Sequence, residues 1–127
     1  MPIDSVVGSA AIRTNELGIR EIVRRLNSGL GPTLVAGLSG SKDRRISHKW
    51  AKDDGPEPHP AAIRRLMTGI RLWTELADAH GEHVARLWFI GSNPWLEEDS
   101  PIEAIQEDRF KEVRVAANAM LSGSFNG

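Results

Sequence analysis

The stretch LVAGLSGSKDRRISHKWAK, residues 34–52, packs a short apolar run, two glycines and five Lys/Arg into nineteen positions. Its first part has helical rhythm. Pro32 suits a first helical turn, and Leu34, Val35 and Leu38 follow before Ser39-Gly40-Ser41 breaks the run. Its second part opens another helix, for which Ser41 or Asp43 is the expected cap. At about 100° per residue, Ile46 and Trp50 fall on one side of that helix, and Arg45, His48, Lys49 and Lys52 form the neighbouring side. Two short helices with a tight Gly-Ser turn between them are what a helix-turn-helix requires, since its second helix stands steeply to the first and enters a groove of DNA. Lys42, Arg44, Arg45, His48, Lys49 and Lys52 are therefore the candidate DNA-binding residues. Such cations attract phosphates, and Arg or Lys also bonds guanine edges in the major groove. The competing reading is a solvated helix face, and Asp43 dilutes the positive field. Trp50 reads as core rather than as a base-stacking group.

Working outward, Thr14 or Asn15 is expected to cap a helix whose apolar positions are Ile19, Ile22, Val23, Leu26 and Leu30, with Gly29 and Gly31 ending it. Downstream, DDGPEPHP (residues 53–60) holds three prolines and reads as a connector. Pro60 restarts the chain. From Ala61 to about His80 the set Ile63, Leu66, Met67, Ile70, Trp73, Leu76 and Ala77 describes a long amphipathic helix. Glu82 to Ile90 is a shorter helix with Val84, Leu87 and Trp88 as its apolar face; Gly91-Ser92-Asn93-Pro94 turns the chain, and Pro101 opens another short helix. A last helix runs from about Arg109 with Phe110, Val113, Ala117, Met120 and Leu121, and SGSFNG then holds too much glycine and serine to continue it. Nothing alternates as a strand does. The expected fold is all-α: residues 1–14 a loose start, 15–58 a helix-turn-helix unit, and 59–127 the long helix and a small C-terminal helical domain with a tail.

The whole chain sets bounds on this. Its 127 residues suffice for one ordinary core, or for two small helical units sharing one. Hydrophobic residues at 40% and charged residues at 26% are ordinary for a globular domain, and no apolar run approaches the ~20 residues of a membrane span. The start, MPIDSVVGSAAIRTNE, lacks the pattern of a secretory signal, and the chain has no cysteine; both facts fit a cytoplasmic home. The lack of cysteine also removes disulfides, thiolate zinc sites and cysteine nucleophiles from consideration. Residues 1–80 hold 12 Lys/Arg against 9 Asp/Glu, net +3, and residues 81–127 hold 4 against 8, net −4. The two halves are expected to meet different partners.

Four further places bear on function. His80-Gly-Glu-His83 is the one close histidine pair, but a third ordered ligand is not visible and a surface helix end explains it. With no Gly-rich phosphate loop or nucleophile elbow either, the chain is expected to be no enzyme and to carry no metal or cofactor. Asn93-Pro94 reads equally as a turn maker and as a partner contact. Trp73 and Trp88 lie on apolar stripes and read as core, whereas Trp95 follows a proline and is the better interface candidate. Phe125, an aromatic in a polar tail, either fastens back onto the body or orders on a partner.

These motifs carry a resemblance. LVAGLSG, RRISHKWAK and GPEP together resemble the Xre-type helix-turn-helix of the MbcA/ParS/Xre antitoxin family. ARLWFIGSNPWL, SPIEAI and RFKEVRVAANAMLSGSF resemble that family's C-terminal toxin-binding domain, through Trp88, Asn93, Pro94, Pro101, Phe110, Val113, Ala119, Met120, Gly123 and Phe125. The resemblance spans about residues 15–127. It implies an antitoxin that neutralises an NAD-destroying RES-domain toxin by placing its C-terminal segment in the toxin's active-site cleft, and that binds promoter DNA to regulate itself. Asn93, Trp95, Gly123, Ser124, Phe125 and Asn126 become the candidate toxin-binding residues. A homodimer, supported by the long helix, would set two recognition helices about one DNA turn apart. The alternative is a helix-turn-helix regulator with no toxin.

Overall fold

Ile22, Val23, Leu26 and Leu30 recur at helical spacing, and they form the buried side of α1, Ile19–Leu30. The computed structural model describes residues 18–123, so Thr14 and Asn15, expected as caps, lie outside the described residues. Gly18 is the first residue before the helix. Gly29 does not end α1 but lies within it, because the Trp73 indole packs onto its bare backbone: a Cβ there would sit 2.4 Å from the ring. The helix stops at Gly31, whose φ of 95° turns the chain directly into α2, Pro32–Leu38, with Pro32 in its first turn.

Beyond α2 the chain departs from the tight turn expected. Ser39 to Arg45 form turns and bends, and α3 spans only Ile46–Trp50. Ser41 and Asp43 do cap, but they cap the turn ahead of α3: Ser41 Oγ accepts from the Asp43 amide and Asp43 Oδ1 accepts from the Arg45 amide. The connector runs to His59, and α4 occupies Pro60–His80. After Gly81 comes α5, Glu82–Ile90, then a single 3-10 turn at Pro94–Leu96, α6 at Pro101–Gln106 and α7 at Phe110–Leu121. The fold is all-α, with no strand among the described residues.

α4 is the central element. It packs against α1, α2, α5, α6 and α7, and Ala62, Leu66, Gly69, Ile70, Leu72, Trp73 and Leu76 are its buried side. The broad apolar face expected to support a dimer is therefore covered by the chain itself. α2 also packs on α6, so one cluster of buried side chains runs from Ile22 through Leu66 and Phe89 to Ala117 without a break near residue 58. Each fully buried Leu, Ile or Phe in it contributes about 1.5–3 kcal/mol. Phe89 stands edge-on to Trp88, with ring centroids 5.1 Å apart, and lies 6.2 Å from Trp73. Trp50, Trp73 and Trp88 are all buried, as their stripes indicate.

α5 is turned differently from expectation. Its buried residues are Ala85, Trp88 and Phe89, while Val84 and Leu87 face outward. The segment is apolar on more than one side, and the aromatic contacts of Phe89 with Trp73 and Trp88 decide which side goes in. No helix among the described residues is long and apolar enough to cross a membrane.

Candidate nucleic-acid and partner interfaces

Two unlike surfaces emerge, and the first is built around α3. Ser47 and Trp50 anchor this helix: Ser47 is fully buried, its hydroxyl donates to the Pro32 carbonyl at 2.9 Å, and its carbonyl accepts from Asn27 Nδ2 at 3.1 Å. Burying those two positions leaves His48 and Lys49 exposed, with Lys42, Arg44, Arg45 and Lys52 on the flanking chain. The six candidates do not form one helical face. Lys42, Arg44, Arg45 and His48, with Asp43 and Thr33 of α2, line a concavity of about 510 Å³. Lys49 is paired with Asp43 at 3.7 Å, and Lys52 follows α3 on the connector side. Lys42, Arg44, Arg45 and His48 make no ion pair among the described residues, so their charge is available to an anion entering the concavity. Thr33 offers a hydroxyl there, a contributor that neither charge nor helix pattern in the sequence singles out.

The second surface is apolar. Five large hydrophobic side chains are exposed among the described residues, and four of them fall between residues 84 and 95: Val84, Leu87, Ile90 and Trp95. Val84, Leu87 and Ile90 repeat at i, i+3, i+6 along α5, which sets them in one slowly winding row. Val84 and Leu87, with Trp88, Asn93 and Met120 of α7, line a groove of about 300 Å³. The Trp88 Nε1 is buried and has no hydrogen-bond partner among the described residues.

Trp95 is held out from the body by a built turn. Asn93 is 2% exposed, and its Oδ1 accepts from the Trp95 amide at 2.9 Å, so of its two expected roles the turn-making one is realised. The Asn93 carbonyl accepts from the amides of Leu96 and Glu98, and its amide donates to the Asp99 carbonyl. Glu97 and Glu98 both adopt positive φ, 58° and 71°, a costly conformation for consecutive side-chain-bearing residues. Arg109 fastens the far side: it donates to Asp99 at 2.8 Å, to Glu112 at 2.8 Å, to Glu107 at 3.2 Å and to the Leu96 carbonyl at 3.3 Å. Its pKa is raised, chiefly by the hydrogen bond to Glu112 and then by those to Asp99 and Glu107. α6 begins with a complete capping box between Ser100 and Glu103.

Of the candidate toxin-binding residues, the structure brings Asn93 and Trp95 into this one turn. Gly123 follows the end of α7 with φ 80°, three residues past the groove-lining Met120. Ser124, Phe125 and Asn126 lie outside the described residues. His80 Nε2 lies 3.3 Å from the Met120 carbonyl. Sequence reasoning missed the outward row of α5, and it missed Arg109, which gathers three nearby carboxylates, and Arg20 and Arg24, whose bonds span 27 to 36 residues. Comparison with protein-family models, with curated proteins and with solved structures gives no match.

Proposed function

We propose that the protein is the antitoxin of a toxin-antitoxin pair, a cytoplasmic, non-catalytic binding protein whose α3 region engages promoter DNA and whose C-terminal helices engage a RES-domain toxin. One observation carries this reading: a concavity whose cations make no ion pair among the described residues and an exposed apolar row are built from separate stretches, residues 33–48 and 84–95. A chain with one task has no need of both. The likeness of the Trp88, Asn93-Pro94 and Pro101 motifs to the MbcA/ParS/Xre family supplies the partner's class, and Trp95 on its rigid turn supports a protein contact there. The tail SGSFNG, residues 122–127, is the proposed plug for the toxin's cleft. A homodimer or larger assembly would draw on the α5 row, since the α4 face is already covered.

The experiment is purification of the tagged protein from its native host, with mass spectrometry of whatever survives a high-salt wash. A stoichiometric RES-domain protein supports the antitoxin reading. A partnerless protein that still shifts promoter DNA leaves the second reading, a regulator without a toxin, which the cationic concavity favours by itself.

A further inference from the structure

Arg20 belongs to α1, yet its guanidinium reaches the chain that leaves α3. It donates to the carbonyls of Trp50 at 3.1 Å, of Lys52, and of Gly55 at 2.8 Å, and approaches that of Pro56 at 3.4 Å. One turn along α1, Arg24 donates to the Ala51 carbonyl at 2.8 Å and to Asp53 Oδ1 at 2.6 Å. The two side chains thus collect consecutive carbonyls from Trp50 to Lys52, where the helix ends.

The physical need is plain. A helix leaves its last carbonyls without intrahelical donors, and one of five residues is far too short to hold itself together. Arginine at a helix C-terminus both bonds those carbonyls and opposes the negative end of the dipole. The connector is folded close beneath: a Cβ on Gly55 would sit 2.0 Å from the Lys49 carbonyl oxygen. With Arg20's donors turned inward in this way, it has little left to offer an outside ligand.

We propose that Arg20, seconded by Arg24, is a positioning residue for the nucleic-acid surface: without touching nucleic acid, it sets the pose in which α3 presents His48 and Lys49. This rests on the nucleic-acid reading above. Neither Arg20 nor Arg24 belongs to the cationic cluster that sequence pattern or surface charge identifies.

The test uses the full chain, Arg20→Gln and Arg20→Lys, with two readouts: anisotropy of a short mixed-sequence DNA duplex over a range of salt, and amide hydrogen exchange. In Arg20→Gln, affinity should fall about tenfold, the worth of one charged hydrogen bond, while the slope against salt stays that of the parent because every cation that meets a phosphate is still present. The amides of Ala51, Lys52 and Gly55 should exchange about tenfold faster, with α4 and α7 unchanged. Arg20→Lys, which keeps the charge and the fold but reaches fewer carbonyls, should fall between parent and Arg20→Gln on both readouts.

A reduced salt slope would make Arg20 a phosphate-binding residue and overturn the proposal. So would faster local exchange with unchanged affinity, since the pose of α3 would then not matter to binding. Exchange that is unchanged, or raised evenly over the chain, removes the clamp itself. A parent protein without salt-dependent binding removes the nucleic-acid reading and the positioning role with it, and the exchange pattern keeps that failure apart from failure of the clamp.

Discussion

Between Ser39 and His59 the one regular element is α3, and its end is bonded by arginines of α1; between Glu82 and Leu121 lie three helices and a 3-10 turn, of which the 3-10 turn and α6 carry side-chain caps of their own, and α5 brings Trp88 and Phe89 together. The first region borrows its donors from elsewhere, so its shape depends on residues about thirty positions away in sequence. The second is closed by local bonds such as Ser100–Glu103 and Asn93–Trp95. A self-capped region tolerates an exposed apolar row without losing its form. A borrowed one keeps its cations exposed but can be deformed from a distance.

The largest expected effect comes from removing what the regions share. Phe89 touches both Trp88 and Trp73, and the buried cluster continues to Leu38 and Trp50. Phe89→Ala should cost about 3–5 kcal/mol, and urea unfolding should stay a single transition by circular dichroism and by tryptophan fluorescence alike. Two separated transitions would mean that the regions are independent, and the contrast between them would then be one between domains.

Next comes the apolar row. Leu87→Asp with Trp95→Ala alters two residues that are 52% and 46% exposed, so stability should shift by no more than about 1 kcal/mol, while capture of the proposed RES-domain partner should weaken by about 2 kcal/mol or more. DNA affinity should not move. A pull-down beside a thermal melt separates these, and a large drop in melting temperature would return the row to a structural role.

How much of this is legible beforehand follows from the range of the forces. Every described helix can be read in pattern, because Pro32, Pro60 and Pro101 start helices and Gly31 and Gly81 stop them by local backbone rules. The rotation of α5 cannot: Val84-Leu87-Trp88 and Ala85-Trp88-Phe89 are both acceptable apolar faces, and contact with Trp73, distant in sequence, decides between them. The cationic cluster is visible as composition, but its concave shape is not. The chain between Ser39 and Arg45 is set by Asp43's Asx-type turn and by Arg65 of α4, which donates to the Ser39 carbonyl, and periodicity does not report either. Asn93 and Trp95 look alike as interface candidates in sequence, and burial sorts them into the support and the supported.

The concavity offers the third test. Arg44→Ala with Arg45→Ala removes from its lining two cations that make no ion pair among the described residues, and the slope of log affinity against log salt should fall by about 0.9 for each phosphate no longer neutralised. Lys49→Ala should do less, because Asp43 already lies 3.7 Å from its ammonium. Equal effects would place the binding surface on α3 itself rather than in the concavity. A smaller change is expected at the self-capped turn. Asn93→Ala leaves the Trp95 amide without its acceptor and should cost about 1 kcal/mol in thermal stability, with weaker partner capture but unchanged DNA binding.

The smallest effect concerns pH and the helix that lends its donors. Glu21 lies on α1 beside Arg25 and Arg24, and its pKa is lowered, mainly by the hydrogen bond from Arg25 at 3.0 Å; Arg24 in turn is raised, mainly by its bond to Asp53. A carboxylate whose folded pKa is depressed contributes stability above its ordinary value of 4.5 and loses it as pH falls through the lowered folded value. The parent should therefore melt somewhat earlier in acid, and in Glu21→Gln that acid-side slope should be slightly flatter, with the difference shrinking at high salt because the groups are exposed. The carbonyl bonds of Arg20 and Arg24 carry no titrating partner, so they should persist through the same range. Melting curves over that range, at low and high salt, thus divide the contacts of α1 into a screened, pH-dependent set and a pH-independent set that holds α3. If Glu21→Gln also sped exchange at Ala51 and Lys52, the two sets would be coupled, and acid would loosen the cationic region while leaving the self-capped one intact.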